Sequence, residues 1–432
     1  MKESSFVEPG KLSFINNQIP TLKDARRKLY LHFPQLSCQD SNTKICWKHM
    51  HSDFAPVFAI ASIFGISFSD QSDDNSDGRV AQTNPIKKCY DIAFNLICFA
   101  SLVLTLAFEH NFSASKAMTL TYFIKYLSGF LIRCNMIAGK SKIPQVIKTL
   151  SQLYTEVSSD AYDSLKVKIY FECVVITILD LCLFGVSTGR IIIETHRSNL
   201  TDLTIFGYPL QDTCNTSSMH ILVLAHALTY FISIFTMTAC ILACCNVHII
   251  LHRLVRTYSK TLVESIKVKS TKEGFAEDFV TFRRIMYGID AADNALSFVT
   301  FFAYVACISC FFYTLSSFLA AENFLGRPFF LAENAFVFLF SVIIFTSLTC
   351  SGILVSSAGE KLKHRVVCIS EIILKKNLPS ETLLSFMILF DNIKCSNTNM
   401  SGWGMFVITR GFVLSLGGVL ITYGVLLFQF GQ

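Results

Sequence analysis

The sequence contains little charge for its length, since 16% of its 432 residues are Asp, Glu, Lys or Arg, against roughly 25% in a typical soluble protein. Hydrophobic residues make up 52% and aromatic residues 13%. A soluble core of this size would need more polar cover, so the composition favours a chain embedded in lipid. The net charge of +6 is not a sign of a nucleic-acid partner, because Lys and Arg gather in segments between apolar runs.

Several functional signatures are also missing. Residues 1–50 contain no apolar core of the kind found in secretory signal peptides, so we expect the first membrane helix to direct insertion. No phosphate-binding loop, HExxH motif or nucleophile elbow occurs, and the sequence therefore predicts neither an enzyme nor a cofactor. Internal repeats typical of secondary transporters are absent as well, which disfavours a transporter.

Cysteine is plentiful, with 16 residues, but its pattern does not indicate a disulfide scaffold. Most of the cysteines lie inside or beside apolar segments, where free, packed thiols are expected. The "CISC" sequence at 307–310 has the spacing of metal ligands but lies in an apolar run without two further ligands. No metal site is predicted.

Long apolar runs dominate the rest of the chain. Runs of about 20 residues, enough to cross the hydrocarbon of a bilayer, occur at 90–108, 117–138, 168–187, 219–251, 295–320, 329–355 and 405–430. A shorter run at 54–68 contains Pro56, and we expect it to be interfacial or re-entrant. The sequence thus predicts an all-α membrane protein with seven transmembrane helices.

Basic residues set the predicted orientation. They concentrate in 1–89, 139–167, 252–294 and 356–404 and are sparse in the intervening loops, which predicts a cytoplasmic amino terminus and an extracellular carboxyl terminus. Candidate glycosylation sites at Asn111, Asn199 and Asn215 all fall in the predicted outer loops. This orientation is the reverse of that of G-protein-coupled receptors and disfavours that class. We expect a multi-pass protein of the plasma membrane.

The unequal lengths of the spans predict the domain organisation. The fourth span and its continuation stay compatible with a helix for over forty residues, and a further amphipathic helix is expected at 379–395. The predicted parts are a cytoplasmic amino-terminal segment (1–89), six transmembrane helices with a long cytoplasmic extension at 252–294 (90–355), cytoplasmic anchor helices (356–404) and the last transmembrane helix (405–432).

The last predicted span has an unusual composition. It carries no charge after Arg410, yet it contains small and polar residues where a lipid-facing helix would carry Leu: Ser415, Gly417, Gly418, Thr422, Gly424 and Gln429. Such residues indicate either close packing on neighbouring helices or a face lined by water. The residues alone leave both interpretations open.

The end of the chain also carries a recognisable motif. "SGWGMFVITRGFVLSLGGVLITYGVLLFQF" resembles the carboxyl-terminal signature of insect gustatory receptors, in which Thr-Tyr, five mostly apolar residues and Gln-Phe end the last helix. Thr422, Tyr423, Gln429 and Phe430 occupy those four positions. The sequence is most similar to the sugar-receptor branch, with Gly424 where that branch often has Glu.

The resemblance implies a ligand-gated, poorly selective cation channel that passes monovalent and divalent cations. It implies a tetramer, as a homotetramer or a heteromer with related receptor subunits, held together by the cytoplasmic anchor helices. The last helix would line the pore, with Gln429, Phe430, Leu426, Thr422 and Tyr423 as pore and gate residues. A sugar or polyol is the favoured tastant, and a bitter or other small organic ligand is the alternative.

A polyol pocket needs hydrogen-bonding groups and aromatic faces within an apolar wall. Candidates in the predicted outer half of the membrane are Thr121, Tyr122, Lys125, Asp180, Ser187, His220, His226, Tyr230, Tyr313, Ser316, Glu333 and Asn334. Asp180 stands out because an acid within an apolar run is costly unless it has a partner or a ligand. A structural hydrogen bond or pairing with Lys125 is the alternative. Arg133 is expected to extend to the cytoplasmic interface.

Overall fold

The structure, a computed structural model, describes fourteen segments of the chain. They are 50–63, 66, 89–90, 92–100, 102–103, 116–139, 141–157, 165–197, 204–205, 208–209, 216–268, 275–319, 328–374 and 379–430. The candidate glycosylation sites Asn111, Asn199 and Asn215 lie outside them.

Helices make up almost all of the described structure. In chain order they are α1 (Ala55–Ile63), α2 (Lys116–Ala138), α3 (Lys142–Val157), α4 (Lys166–Arg197), α5 (Thr216–Val268), α6 (Ala276–Leu319), α7 (Pro328–Leu374), α8 (Ser380–Cys395) and α9 (Arg410–Phe430). Residues 92–100 are also helical. The described strands form two small antiparallel hairpins: β1 (Thr204–Ile205) with β2 (Tyr208–Pro209), and β3 (Ser401–Gly402) with β4 (Phe406–Val407).

Three helices are much longer than a bilayer is thick. α5 has 53 residues, α6 has 44 and α7 has 47, so at 1.5 Å per residue α5 alone extends about 80 Å. Since the hydrocarbon core is about 30 Å thick, a large part of each helix must lie outside it. The sequence predicted one unbroken helix from the fourth span into its basic continuation, and α5 confirms this.

Four described helices are long and apolar enough to cross a membrane, at Lys166–Arg190, Val223–Ile266, Ala276–Phe318 and Phe329–Ile373, and Arg410–Leu426 is a shorter apolar helix. The described residues thus form a mostly helical structure whose long apolar helices indicate a multi-pass membrane protein. The count of seven spans stays a prediction.

Helix α5 forms the centre of the bundle. It contacts α1, α2, α3, α4, α6 and α7, and nearly all residues of its most apolar window are buried. Most of the corresponding window of α4 is exposed, as expected of an outer helix that faces lipid. Helix α9 packs chiefly against α6. The core therefore lies around α5 and α6, with α9 at the outside of the isolated chain.

Short elements pack onto this bundle. Helix α1 has nine residues, too few to cross a membrane, and it contacts α4 and α5. The sequence read 139–167 only as a basic loop, whereas α3 forms there. Its apolar residues at helical spacing, including Ile143, Ile147 and Leu150, pack on α5 and α6. Helix α8 lies within one residue of the predicted helix at 379–395.

Two predicted boundaries need correction. The third span was predicted to end at 187, but α4 continues to Arg197 and keeps a charged residue, Arg190, buried. The last span was predicted to begin at 405, but α9 begins at Arg410 because residues 401–407 form the hairpin of β3 and β4.

A close contact at Gly359 ties α7 to the segment between α8 and β3. A Cβ atom at Gly359 would overlap the buried Thr398 side chain. Gly359→Ala is therefore expected to lower the free energy of unfolding by about 1–3 kcal/mol, as overpacking does elsewhere. Gly185 on α4 is a matched control, since no atom lies within 4 Å of a Cβ built there. Gly185→Ala should raise the stability by up to about 1 kcal/mol through helix propensity.

Thermal unfolding of the purified variants in detergent would measure both changes. The packing interpretation of Gly359 would be wrong if the two variants shifted the melting temperature in the same direction.

Candidate functional site

A buried group of polar side chains joins α4 and α7. The Ser187 hydroxyl donates a hydrogen bond to Glu333 Oε1 at 2.7 Å, and Arg190 Nε lies 2.7 Å from Glu333 Oε2. Arg190 and Glu333 are only 2% and 1% exposed. Their contact is a buried ion pair. We call these three residues the polar cluster.

Aromatic and cationic side chains from α2 and α5 border the polar cluster. The Tyr230 phenol lies close to Ser187, Glu333 and Arg190. Lys125 Nζ is 4.8 Å from the centre of the Tyr230 ring and 5.4 Å from that of Tyr126. Lys125 is thus within the range of a cation–π contact with both rings. Four helices therefore bring hydroxyl, carboxylate, guanidinium and ammonium groups together with aromatic faces.

Two further buried polar atoms lie on α6 and α7. Asn334 donates through Nδ2 to the Phe330 carbonyl at 2.9 Å, but its Oδ1 and the Ser316 Oγ have no hydrogen-bond partner in the described part of the chain. An unsatisfied buried polar atom costs about 1–3 kcal/mol. Such atoms call for an explanation, of which a bound water or ligand is one.

A small cavity extends from Lys125 into the core. Leu183 of α4, Ile234 of α5, Cys310 of α6 and Phe340 of α7 are among the residues that line it. Its volume is about 10 Å³, which is about the space of one water molecule. The conformation described here is therefore closed to a larger ligand, and a ligand could enter only if these helices moved apart.

Asp180 makes a local contact on α4. It is buried, and its Oδ1 accepts a hydrogen bond from the Thr238 hydroxyl of α5 at 3.3 Å. Seven residues separate Asp180 from Ser187, which is about 10 Å along a helix. The structural hydrogen bond that the sequence left open as an alternative is thus present.

Arg133 does not extend to an interface as predicted. It is 2% exposed, its Nε donates to Asn95 Oδ1 at 2.8 Å and its Nη1 donates to Thr236 at 3.4 Å. The guanidinium also lies 4.8 Å from the centre of the Phe94 ring. The prediction was wrong because neighbouring helices supply enough polar and aromatic partners to hold the charge inside the bundle.

For some of the remaining pocket candidates the structure describes the side chain, and for others only the backbone. Tyr313 is buried on α6, and Thr121 is half-buried on α2. For Tyr122, His220 and His226 the described part gives only the helical backbone. The structure therefore brings Ser187, Tyr230 and Glu333 together among the predicted candidates, and it adds Arg190, which the sequence had placed in a loop.

The last helix has a polar stripe on its exposed face. Ser415, Gly418, Thr422 and Gln429 are all exposed, and at 100° per residue they lie within about 60° of one another. Leu426 is 45% exposed and lies beside them. The Thr422 hydroxyl donates to the Gly418 carbonyl at 2.9 Å, which meets its own hydrogen-bonding need. The stripe runs along the middle of a face that no other described helix covers.

The opposite face of α9 packs on α6. The Tyr423 ring lies 4.3 Å from the Phe312 ring, edge to face, so Tyr423 is on the packed side and not in the stripe. A Cβ at Gly424 would lie 3.3 Å from Leu315 Cδ2, which is tight for a side chain. Gly424 thus permits a close approach of α9 to α6. The Phe430 side chain lies outside the described part, which gives only its helical backbone.

Solved structures with a similar fold include two of the insect olfactory receptor OR5 from Machilis hrabei. One of them matches with a TM-score of 0.68 and 14% identity over 89% of this chain and 99% of that chain. The other, of OR5 in complex with eugenol, matches with a TM-score of 0.67 at the same identity and coverage. No family model and no curated protein matches this chain. At 14% identity the likeness establishes the fold, and this chain adopts the fold of OR5.

Proposed function

We propose that the chain is a chemoreceptor that forms a ligand-gated, poorly selective cation channel in the plasma membrane. One observation carries the proposal: in a chain with the fold of an insect olfactory receptor, α9 bears a polar stripe on an otherwise apolar exposed face. A face that met only lipid would not be expected to carry the exposed amide of Gln429. Copies of α9 around an axis would turn the stripe towards water.

In this proposal Gln429 and Thr422 hydrate passing cations, while Leu426 and Phe430 narrow the pore. Tyr423 supports the pore helix from behind by its contact with Phe312. The assembly would be a tetramer of this chain or a heteromer with related subunits. The amino terminus and the segment 356–404 would be cytoplasmic, and the carboxyl terminus would be extracellular.

The polar cluster and its surroundings are the proposed ligand site. They offer hydroxyl, carboxylate and guanidinium groups close to Tyr230, whose ring contacts that of Tyr126, a combination that suits a small molecule with hydroxyl groups. A sugar or polyol remains the favoured ligand because of the resemblance to sugar receptors. A small aromatic ligand is the second candidate, since OR5 was solved with eugenol and Gly424 departs from the sugar-branch pattern.

A panel of compounds on the chain expressed alone would test the proposal. Sucrose, glucose, fructose, sorbitol, eugenol and quinine would be applied to cells that express the chain, with whole-cell current as the readout. We expect at least one compound to evoke a cation current that persists in excised patches without GTP. A response that disappears without GTP would instead indicate a G-protein-coupled receptor, and substrate uptake without channel current would indicate a transporter.

A further inference from the structure

The hairpin of β3 and β4, together with its turn, fastens the start of α9 to α6. Ser401 N donates to Asp293 Oδ1 and Ser401 Oγ donates to Asp293 Oδ2, each at 2.7 Å. Two residues on, Trp403 N donates to the Ser297 carbonyl at 3.0 Å. Asp293 and Ser297 are one helical turn apart on α6. We call residues 401–407 the hairpin clamp.

The turn of the hairpin clamp has a backbone that requires such support. Trp403 has a φ of 50° and Gly404 a φ of 68°, and Met405 N donates to the Gly402 carbonyl at 2.9 Å. These features define a type I′ turn. Glycine or asparagine is usual at its first central position, and a left-handed tryptophan costs about 1–2 kcal/mol. Strain of this kind persists only where the surroundings hold it in place.

Aromatic rings on α6 hold the tryptophan. The Trp403 ring centre lies 5.3 Å from that of Phe298, 5.7 Å from that of Phe301 and 6.3 Å from that of Phe302. Ser401 and Trp403 of the clamp thus contact α6 from Asp293 to Phe302, about two and a half turns. Contact over such a length fixes both the position and the direction of the hairpin.

The hairpin clamp also holds the first turn of α9. The Phe406 ring is stacked on the Phe412 ring at 4.4 Å, and the Tyr304 ring of α6 lies 5.3 Å from Phe406 and 5.2 Å from Phe412. The Tyr304 hydroxyl is 2.8 Å from Thr349 Oγ1 on α7. A displacement of the clamp would therefore displace the beginning of α9.

Helix α6 lies between the clamp and the closed cavity. Its residues Ala306, Cys307 and Cys310 line that cavity, while Phe312 contacts Tyr423 further along α9. In the proposed channel, an opening of the cavity that displaces α6 would reach the beginning of α9 through the clamp.

We propose that Asp293 is a positioning residue that, through the hairpin clamp, holds α9 in its resting position. This inference rests on the proposed channel function and concerns its regulation. The bonds of Asp293 are made in the conformation whose cavity is closed. Their loss removes stabilisation from that conformation and shifts the population towards others, including the open one.

The chain offers matched variants for a test. Asp293→Ala removes both hydrogen bonds. Asp293→Asn can keep both, since an amide accepts through oxygen and donates through nitrogen. Ser401→Ala removes only the hydroxyl bond. Asp290→Ala removes an exposed carboxylate one turn away on the same helix and serves as the control.

Two measurements on purified protein report the outcome without a ligand. Peptide-level hydrogen exchange of 400–408 reports the clamp, because the amides of Ser401, Trp403 and Ile408 are all bonded there. Basal Na⁺ flux from reconstituted liposomes reports the pore. We expect Asp293→Ala to raise the basal flux about ten-fold, within the usual range of coupling between sites, and to speed up exchange. Ser401→Ala should have a smaller effect of the same sign, while Asp293→Asn and Asp290→Ala behave like the wild type.

Asp293→Ala could speed up exchange and leave the basal flux unchanged in a protein that still conducts when a panel compound activates it. That result would overturn the role of Asp293 in holding the resting position, and the clamp would then be only a structural contact. Unchanged exchange in Asp293→Ala would overturn the clamp itself. If neither the wild type nor any variant passes Na⁺, with or without the panel compounds, a channel made of this chain alone is ruled out and the gating role fails with it. The exchange data would still report the clamp.

Discussion

Glu333→Ala is expected to remove most of the protein from the cell surface. The substitution leaves the Arg190 guanidinium buried without the carboxylate that lies 2.7 Å from it. Breaking a buried ion pair by removing one partner costs about 3–5 kcal/mol, which is a large share of the 5–15 kcal/mol by which folded domains are stable. Arg190→Ala should have a similar effect, because Glu333 then remains as the uncompensated buried charge.

The double variant Glu333→Leu with Arg190→Met separates stability from ligand recognition. Replacing both charges by apolar side chains of similar size is often neutral or stabilising, so surface expression should return. If the polar cluster binds the ligand, the response to the compound panel should stay lost. A restored response would show that the ion pair serves stability alone.

An ion pair with one largely exposed partner supplies the control. Lys363 Nζ lies 3.1 Å from Glu360 Oε1 on α7, where the Glu360 side chain is 68% exposed. Surface pairs contribute about 0–1 kcal/mol, so Lys363→Ala should leave expression unchanged. Surface biotinylation and thermal unfolding in detergent would measure all four variants. If Glu333→Ala and Lys363→Ala reduced surface expression and thermal stability equally, burial of the ion pair would not explain the effect of Glu333→Ala.

Gln429→Glu is expected to change which cations pass. A carboxylate 4 Å from a cation attracts a monovalent ion by about 1 kcal/mol even in bulk water, and a divalent ion by twice as much. If Gln429 faces the pore, the permeability of Ca²⁺ relative to Na⁺ should therefore rise at least about five-fold. Reversal potentials in mixed-ion solutions would give the ratio.

Gln429→Asn keeps a neutral amide and should leave the permeability ratio unchanged. If Gln429 instead packs against another helix or faces lipid, Gln429→Glu should reduce surface expression without altering the ratio. That result would show that the stripe on α9 serves helix packing, which is one of the two interpretations that the sequence left open.

The sequence predicted the long elements because their signals are repeated over many residues. The continuous helix of α5, and α8 with its apolar residues at helical spacing, both follow from periodicity. Helix α3 was missed for a different reason. Its segment was read for basic charge, although Ile143, Ile147, Leu150 and Tyr154 already form a helical stripe that the structure buries.

Arg190 shows why the candidate site could be predicted only in part. It was assigned to a loop because charge normally ends a span, but it shares one helical face with Leu183 and Ser187, at spacings of seven and three residues. That spacing was a usable signal. Its pairing with Glu333 on α7 was not predictable, since it depends on the packing of two helices distant in sequence.

The hairpin clamp was missed because its signal is short. The Gly-Trp-Gly sequence at 402–404 indicates a turn by its glycines, but it adjoins the apolar run of the last span and was absorbed into it. The left-handed conformation of Trp403 arises from its contacts with α6, a tertiary effect that outweighs local preference.

In the homotetrameric form of the proposed channel, this chain by itself forms a cation-conducting pore opened by a small molecule. The most direct measurement is the Na⁺ flux through the purified chain reconstituted in liposomes that contain no other protein, with and without each compound of the panel. We predict that at least one compound raises the flux above the basal level and that Gln429→Glu alters its Ca²⁺ to Na⁺ ratio. A properly folded, reconstituted chain that passes no cation under any of these conditions would contradict a channel formed by this chain alone.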